Sequence, residues 1–378
     1  MNVPATATGM TPVAPTTPKN QWLQALRAVA ALYVLFFHCI PLFEGQRFGH
    51  FFAFLGKHGY AGVDIFMPLS GFVVTATLLK RGAAKSKLFL LERFARIFSG
   101  YWPILVFVYL FSVWGIRPLD HVRERALSTI FLLSPKLEDN WLETAWTIAY
   151  ELRFYILIAL LFSLLKKIRM DVKIWAAMAV VWLYNLYYFS FHQDLVVTGA
   201  VPLSYAMSGL TLEFLLGAYL ATTNWHDLKP NHIIFLLIAG LSAFTVGTSA
   251  IFFANYEFAR FMTFGIFGSC ALVIFLWLGR TRRAPPRLLS AIGDSSYSLY
   301  LIHPLIVSIG GRVRYSHDSL GLLIPFGVIV FSVAFSHVWY WAAEKRLYQF
   351  IKNRIEARAP ENKVAAAPPP ARQSELMR

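Results

Sequence analysis

Arg27 and His38 stand inside the first apolar segment of the chain, LQALRAVAALYVLFFHCIPLF. A charged group deep in a bilayer costs about 3 kcal/mol on insertion scales, so such groups are by default paired or functional. Ten residues separate the two, about 16 Å of helical rise and roughly half the depth of a hydrocarbon core. One helix would therefore carry a polar track. At one end is a guanidinium suited to anions, and at the other an imidazole able to move protons near neutral pH.

Later apolar segments carry further ionisable groups. Asp64 lies in GYAGVDIFMPLSGFV, Glu151 and Arg153 in AWTIAYELRFYILI, Glu213 in TLEFLLG, and His303 in SSYSLYLIHPL, with Pro304 next to it. A hairpin of the first two spans brings Asp64 to the height of His38. Asp64 is thus expected to orient or charge-stabilise the imidazole, with Glu151 as the alternative. Arg27 falls lower, near the level of Ser70. Glu151 and Arg153 are two apart and point to different faces of their helix. Pro304 removes a backbone donor and frees a carbonyl near His303.

Arg93 and Arg96 lie three apart where LKRGAAKSKLFLLERFARIFSGYWP leads into the third span. Such a pair suits bidentate contacts to phosphates. Lys80, Arg81, Lys85 and Lys87 are explained by topology alone, and His337 and Glu344 read as interfacial groups. Glu213 and Arg153 fit helix–helix hydrogen bonding equally well. Cys39 adjoins His38, but helical neighbours point about 100° apart, which argues against a thiol nucleophile. With only Cys39 and Cys270 in the chain, no disulfide framework or zinc spacing can be drawn, and no metal site is expected.

The elements that must position these groups are membrane helices. The chain is 57% hydrophobic and 15% charged, where a soluble domain carries about 25% charge. Its net charge of +15 would suit nucleic acid, but the basic residues flank apolar runs, so no nucleic-acid partner is expected. About ten spans are expected, near 22–43, 60–79, 97–116, 144–165, 174–191, 202–221, 232–253, 258–279, 294–311 and 318–342. ALSTIFLLSP, within 118–143, is too short to span and reads as an interfacial or re-entrant helix. Lys and Arg divide 25 to 9 between the two sides of this threading, which places both termini in the cytoplasm. Residues 1–20 read as a disordered tail without a secretory signal, 21–350 as one all-α polytopic membrane domain, and 351–378 as a low-complexity tail. No internal repeat of the transporter kind is visible.

Five elements in order resemble the bacterial membrane-bound acyltransferase-3 family. They are the basic residue, ten residues and histidine of Arg27 and His38; GVDIFMPLSGF at 62–72; RFARI with Arg93 and Arg96; WTIAYELRFY at 146–155 with Glu151; and SYSLYLIHP at 296–304 with His303. The likeness runs from about residue 20 to about 350. The chain departs where many relatives have an aromatic-rich FFV and it has Ile65-Phe66-Met67-Pro68, so Pro68 is expected to bend the helix below Asp64.

The resemblance implies acyl transfer from cytosolic acyl-CoA, usually acetyl-CoA, to a hydroxyl of a saccharide or lipid-linked glycan, as in exopolysaccharide O-acetyltransferases. The expected setting is the bacterial plasma (inner) membrane among membrane lipids and other polysaccharide-assembly proteins, with no permanently bound cofactor. His38 would be the general base, with Asp64 or Glu151 holding its tautomer. Arg27, Arg93 and Arg96 would bind the donor. Ser70, Tyr297 and His303 would complete the substrate cavity. The rival readings are a flippase or transporter for a lipid-linked saccharide, using the same charges as a path, and a membrane glycosyltransferase. The modest loops and the ordered motifs weigh against both.

Overall fold

A computed structural model describes residues 20–82, 86–115, 122–134, 136, 139–164, 167–191, 206–223, 228–249, 257–281, 283–316 and 321–358. The described residues are helical, with no strand among them. In chain order the helices are α1 (Gln21–Phe43), α2 (Gly49–Gly56), α3 (Gly62–Arg81), α4 (Ser86–Val113), α5 (Val122–Phe131), α6 (Ala145–Ser163) and α7 (Met170–Phe191). Then come α8 (Gly209–Leu220), α9 (Pro230–Ser249), α10 (Ile266–Leu278), α11 (Arg287–Asp294), α12 (Ser296–Ser316), α13 (Leu323–Trp339) and α14 (Lys345–Arg358). A helical turn (Glu257–Arg260) and a π-helical turn (Phe261–Gly265) lead into α10, and a second π-helical turn (Tyr340–Glu344) joins α13 to α14.

Each of the ten expected windows overlaps one of these helices. Seven helices among the described residues are long and apolar enough to cross a bilayer. α8 falls short on length, with 12 residues. α7 and α12 are long enough, with 22 and 21 residues; α12 falls short on apolarity. α12 is diluted by its serines, His303, Arg312 and Arg314. The short segment expected between 118 and 143 is the ten-residue α5.

One tail boundary needs correcting. Residues 351–358 belong to α14 rather than to a low-complexity tail. Their sequence, IKNRIEAR, consists mostly of good helix formers and continues the helix begun at Lys345. Residues 1–19 and 359–378 lie outside the described residues.

Helix ends show how the spans alternate. Asn20 caps α1, its Oδ1 accepting from the amides of Trp22 (3.1 Å) and Leu23 (3.3 Å). Beside it, Trp22 Nε1 donates to the carbonyl of Arg283, just past α10, at 2.8 Å. At the other end of α1, Arg314 of α12 donates to the carbonyl of Pro41 at 3.0 Å and also to those of Leu42 and Glu44. Lys173 Nζ gathers carbonyls at the end of α6, those of Leu161 (2.9 Å) and Leu164 (2.5 Å).

The tightest crossing joins α3 and α8. A Cβ on Gly71 would stand 1.9 Å from the Phe214 carbonyl oxygen, and one on Gly217 would stand 1.8 Å from that of Pro68. Backbone rests on backbone, the packing that small residues permit between membrane helices. Pro68 sits within the continuous helix α3. The carbonyl its ring leaves unbonded, that of Asp64, lies against Gly268 of α10, where a Cβ would approach to 2.0 Å. α3 is thus held between α8 and α10.

Candidate active site

α1, α3, α4, α6 and α12 surround a chamber of about 290 Å³, lined by Arg27, Ser70, Arg93, Arg96, Glu151 and Tyr297 among others. Asn20 and Gln24, at the start of α1, line the same space, so the chamber lies toward the end of the bundle expected to face the cytoplasm. Six of the nine residues expected at the site meet here.

Their side chains are held individually. Arg27 Nε donates to Ser296 Oγ at 3.2 Å. Ser70 Oγ donates to Glu151 Oε1 at 3.0 Å, and the Tyr155 hydroxyl donates to the same oxygen. Tyr155 is one helical turn beyond Glu151, so α6 supplies both the carboxylate and its partner. Arg93 Nη2 donates to Thr77 Oγ1 at 3.3 Å, with its guanidinium 5.0 Å from the ring centre of Phe89 and 5.7 Å from that of Tyr155. Arg96 lies 5.7 Å from the ring centre of Tyr348 on α14. The Tyr297 hydroxyl donates to the Ile97 carbonyl at 2.9 Å, tying α12 to α4.

The other three expected residues lie elsewhere. Asp64 is not the partner of His38. It is fully buried, and its two oxygens accept from Arg260 Nε at 2.7 Å and Nη2 at 2.9 Å. The hairpin does not set the two at one height: Gly59 packs on Tyr33 and Phe37, and Gly62 on Ala30 and Val34. Asp64 therefore lies deeper along α1 than His38, and it meets Arg260, which precedes the π-helical turn. Glu151 is not the partner of His38 either, since its bonds lie within the chamber. The imidazole is held instead by its own helix and by another histidine. His38 Nδ1 lies 2.9 Å from the Val34 carbonyl oxygen and 3.3 Å from His303 Nε2.

His303 Nδ1 in turn lies 3.0 Å from the Leu299 carbonyl oxygen. A carbonyl facing Nδ1 requires a hydrogen there, so each neutral ring carries its proton on Nδ1 and its lone pair on Nε2. His38 Nδ1–H therefore faces two acceptors, the Val34 carbonyl and the His303 ring.

His38 does not line the chamber, contrary to the expectation of one shared hollow. It lines a second one, toward the other end of α1, together with Glu143, Ser308 and mostly apolar side chains. The two hollows share no lining residue. His303 is buried between them and lines neither. On its chamber side stands Tyr300, with ring centres 5.9 Å apart, whose hydroxyl is 2.7 Å from Thr147 Oγ1. The order through the partition is therefore chamber, Tyr300, His303, His38, second hollow.

Sequence reasoning misses several of these residues. Arg260 counts there only as a loop charge. Tyr155, Ser296 and Tyr300 are ordinary residues of apolar helices, although the four-residue spacing of Tyr155 from Glu151 is a usable signal. Glu344, expected at the interface, is buried and accepts from Ser298 Oγ at 2.5 Å.

The fold and site define a polytopic α-helical membrane protein with an arginine-lined chamber and a histidine pair in its partition. A family model described as "Acyltransferase domain" matches residues 20–341. The chain belongs to that family, the membrane-bound acyltransferase-3 family. It is similar to a Staphylococcus aureus (strain COL) protein named "Putative O-acetyltransferase", 24% identical over 366 residues, covering 84% of this chain and 55% of that one. It is also similar to the peptidoglycan O-acetyltransferase OatA of Listeria monocytogenes, 28% identical over 159 residues, covering 36% of this chain and 23% of that one. The chain thus spans about half the length, or less, of these curated relatives. No solved structure matches it.

Proposed function

We propose that the protein is a membrane O-acetyltransferase. It takes the acyl group of a cytosolic acyl-CoA, acetyl-CoA first among them, and passes it to a hydroxyl of a surface polysaccharide or its lipid-linked precursor. Its place is the bacterial plasma (inner) membrane. The observation that carries this reading is the alignment of an arginine-lined chamber, a histidine pair and a second hollow along one axis of the bundle.

Arg93 and Arg96, with Arg27 deeper in, hold the donor's phosphates and the polar groups of its pantetheine arm by charge-assisted hydrogen bonds. The arm runs past Tyr300 toward His38, a path comparable to the roughly 16 Å rise between Arg27 and His38. His38 Nε2 removes the proton of the acceptor hydroxyl as its oxygen attacks the thioester carbonyl. The tetrahedral intermediate collapses with cleavage of the carbon–sulfur bond, and the thiolate takes the proton back from His38. While His38 is an imidazolium, its Nδ1–H faces the Val34 carbonyl and the His303 lone pair, which orient the ring as a triad carboxylate does but bring only dipoles to its charge.

The test is thioester consumption by the purified protein in nanodiscs, with and without an oligosaccharide acceptor. Acceptor-dependent release of free CoA, abolished in His38→Ala, supports acyl transfer. A protein that leaves acetyl-CoA intact while moving a lipid-linked saccharide across the bilayer is a flippase.

A further inference from the structure

Acyl transfer builds negative charge on the thioester carbonyl oxygen, and a site closed off from water holds that charge only with a donor aimed at it. The chamber arginines are occupied by the donor's phosphates in the reading above. The neutral rings of His38 and His303 each spend their one hydrogen at Nδ1. The donor is needed where the chamber meets the partition, and Tyr300 stands there. It lines the chamber beside Thr147 and Phe66, and it precedes His303 by three residues on one face of α12. The ring centre of His303 is 5.9 Å from that of Tyr300 and 4.8 Å from that of His38. A thioester moving from the chamber to His38 therefore brings its carbonyl between the phenol and the imidazole.

The Tyr300 hydroxyl holds a hydrogen it can turn to a new partner. Thr147 Oγ1 donates to the Thr144 carbonyl at 3.0 Å. Its oxygen thus accepts from Tyr300 across their 2.7 Å contact, which makes Tyr300 the donor of that pair. When Tyr300 turns to a ligand, Thr147 keeps its bond to Thr144, and no donor is left unpaired. Tyr297, one turn earlier, is committed differently, with its hydroxyl on the Ile97 carbonyl at 2.9 Å. Edge-on contact with Phe66, ring centres 6.1 Å apart, steadies the Tyr300 ring while its hydroxyl changes partner.

We propose that Tyr300 is a catalytic residue whose hydroxyl donates to the thioester carbonyl oxygen and stabilises the oxyanion of the tetrahedral intermediate. The proposal rests on the acyl-transfer reading above and adds to it the group that meets the developing charge. Tyr300 keeps its proton throughout. As the acceptor oxygen bonds to the carbonyl carbon, the C=O electron pair moves onto the oxygen facing Tyr300. Its return breaks the carbon–sulfur bond, and the departing thiolate takes the proton held by His38. Thr147 is the resting partner that Tyr300 leaves for the thioester and regains when CoA departs.

The experiment uses the full chain in nanodiscs with acetyl-CoA and an oligosaccharide acceptor, at matched protein levels. Tyr300→Phe should lower kcat by about 10²–10³-fold, the worth of one oxyanion donor, with little change in the acetyl-CoA KM. Thr147→Val breaks the same resting hydrogen bond but leaves the phenol intact, so it should keep far more of kcat. A merely structural bond would make the two variants equal. A second readout needs no turnover. Isotope-labelled acetyl-CoA, bound without acceptor, should show a lower carbonyl stretching frequency in wild type than in Tyr300→Phe, because a hydrogen bond weakens the C=O bond. Equal kcat in wild type and Tyr300→Phe overturns the proposal, as do equal losses in the two variants or an unchanged carbonyl frequency. A wild-type chain that leaves acetyl-CoA intact with acceptor present fails the transfer reading and this proposal with it, whereas wild-type turnover beside an unimpaired Tyr300→Phe fails the proposal alone.

Discussion

His303 Nε2 lies 3.3 Å from His38 Nδ1, so the second imidazole stands where a carboxylate stands behind many catalytic histidines. A neutral acceptor gives His38 orientation without a full opposing charge. Its removal should cost less than loss of His38 itself. His38→Ala should lower kcat by about 10²–10⁴-fold, the usual worth of a general base. His303→Gln, which keeps an acceptor on a side chain of similar length, should retain more activity than His303→Ala. Initial rates of CoA release with matched protein levels decide both, and equal rates for His303→Ala and wild type would remove His303 from the base's support.

Arg93 and Arg96 should act on the donor. Arg93→Ala should raise the acetyl-CoA KM by about tenfold, the scale of one charge-assisted contact, with a smaller fall in kcat. Arg93→Lys should recover only part, because lysine keeps the charge and loses the planar fork and the stacking on Phe89 and Tyr155. An unchanged donor KM in Arg93→Ala would return the residue to a topological role.

Asp64 and Arg260 form a buried bidentate pair between α3 and the entry to α10, with the Asp64 side chain wholly inaccessible. Breaking one partner leaves a buried charge. Asp64→Asn should therefore destabilise the fold by about 3–5 kcal/mol. Replacing both, as in Asp64→Leu with Arg260→Met, should restore much of that loss. Thermal unfolding in detergent checks it. A Tm for Asp64→Asn equal to wild type would show that the pair carries little of the packing between these helices.

Gly217 should tolerate no side chain. Its position against the Pro68 carbonyl leaves no room for a methyl group, so Gly217→Val must push α8 off α3. Poor folding yield and a lowered Tm are expected. The neighbouring Leu216 is half-buried, and Leu216→Met keeps its volume, so that change should be nearly neutral and serves as the control. Equal Tm values for the two variants would mean that the backbone contact can relax without loss.

The fold was largely legible because a membrane span is a composition signal: each apolar window found a helix. The inner chamber was legible too, since Arg27, Glu151 and the Arg93/Arg96 pair are costly charges in apolar sequence and so mark themselves. The partners of His38 and Asp64 were not. Depth along a helix follows from counting residues, but the direction in which a side chain leaves it depends on how neighbouring helices pack, and no single segment records that. Counting residues set Asp64 level with His38, whereas the packing of Gly59 and Gly62 on α1 sets it deeper, and only the path of α10 shows that Arg260 takes both its oxygens. Tyr300 gave no signal at all, because an aromatic hydroxyl in a membrane helix looks ordinary until a second helix brings Thr147 to it.

The partition of Tyr300, His303 and His38 bears on the cell's energetics. A hollow running clear through the bundle would be a leak for protons and ions across whatever membrane the helices span. Two hollows that share no lining residue keep the solvent at either end of the bundle apart until a ligand enters the partition between them. The buried His303 then closes the way between them by its bulk as well as by the contact of its nitrogen with His38.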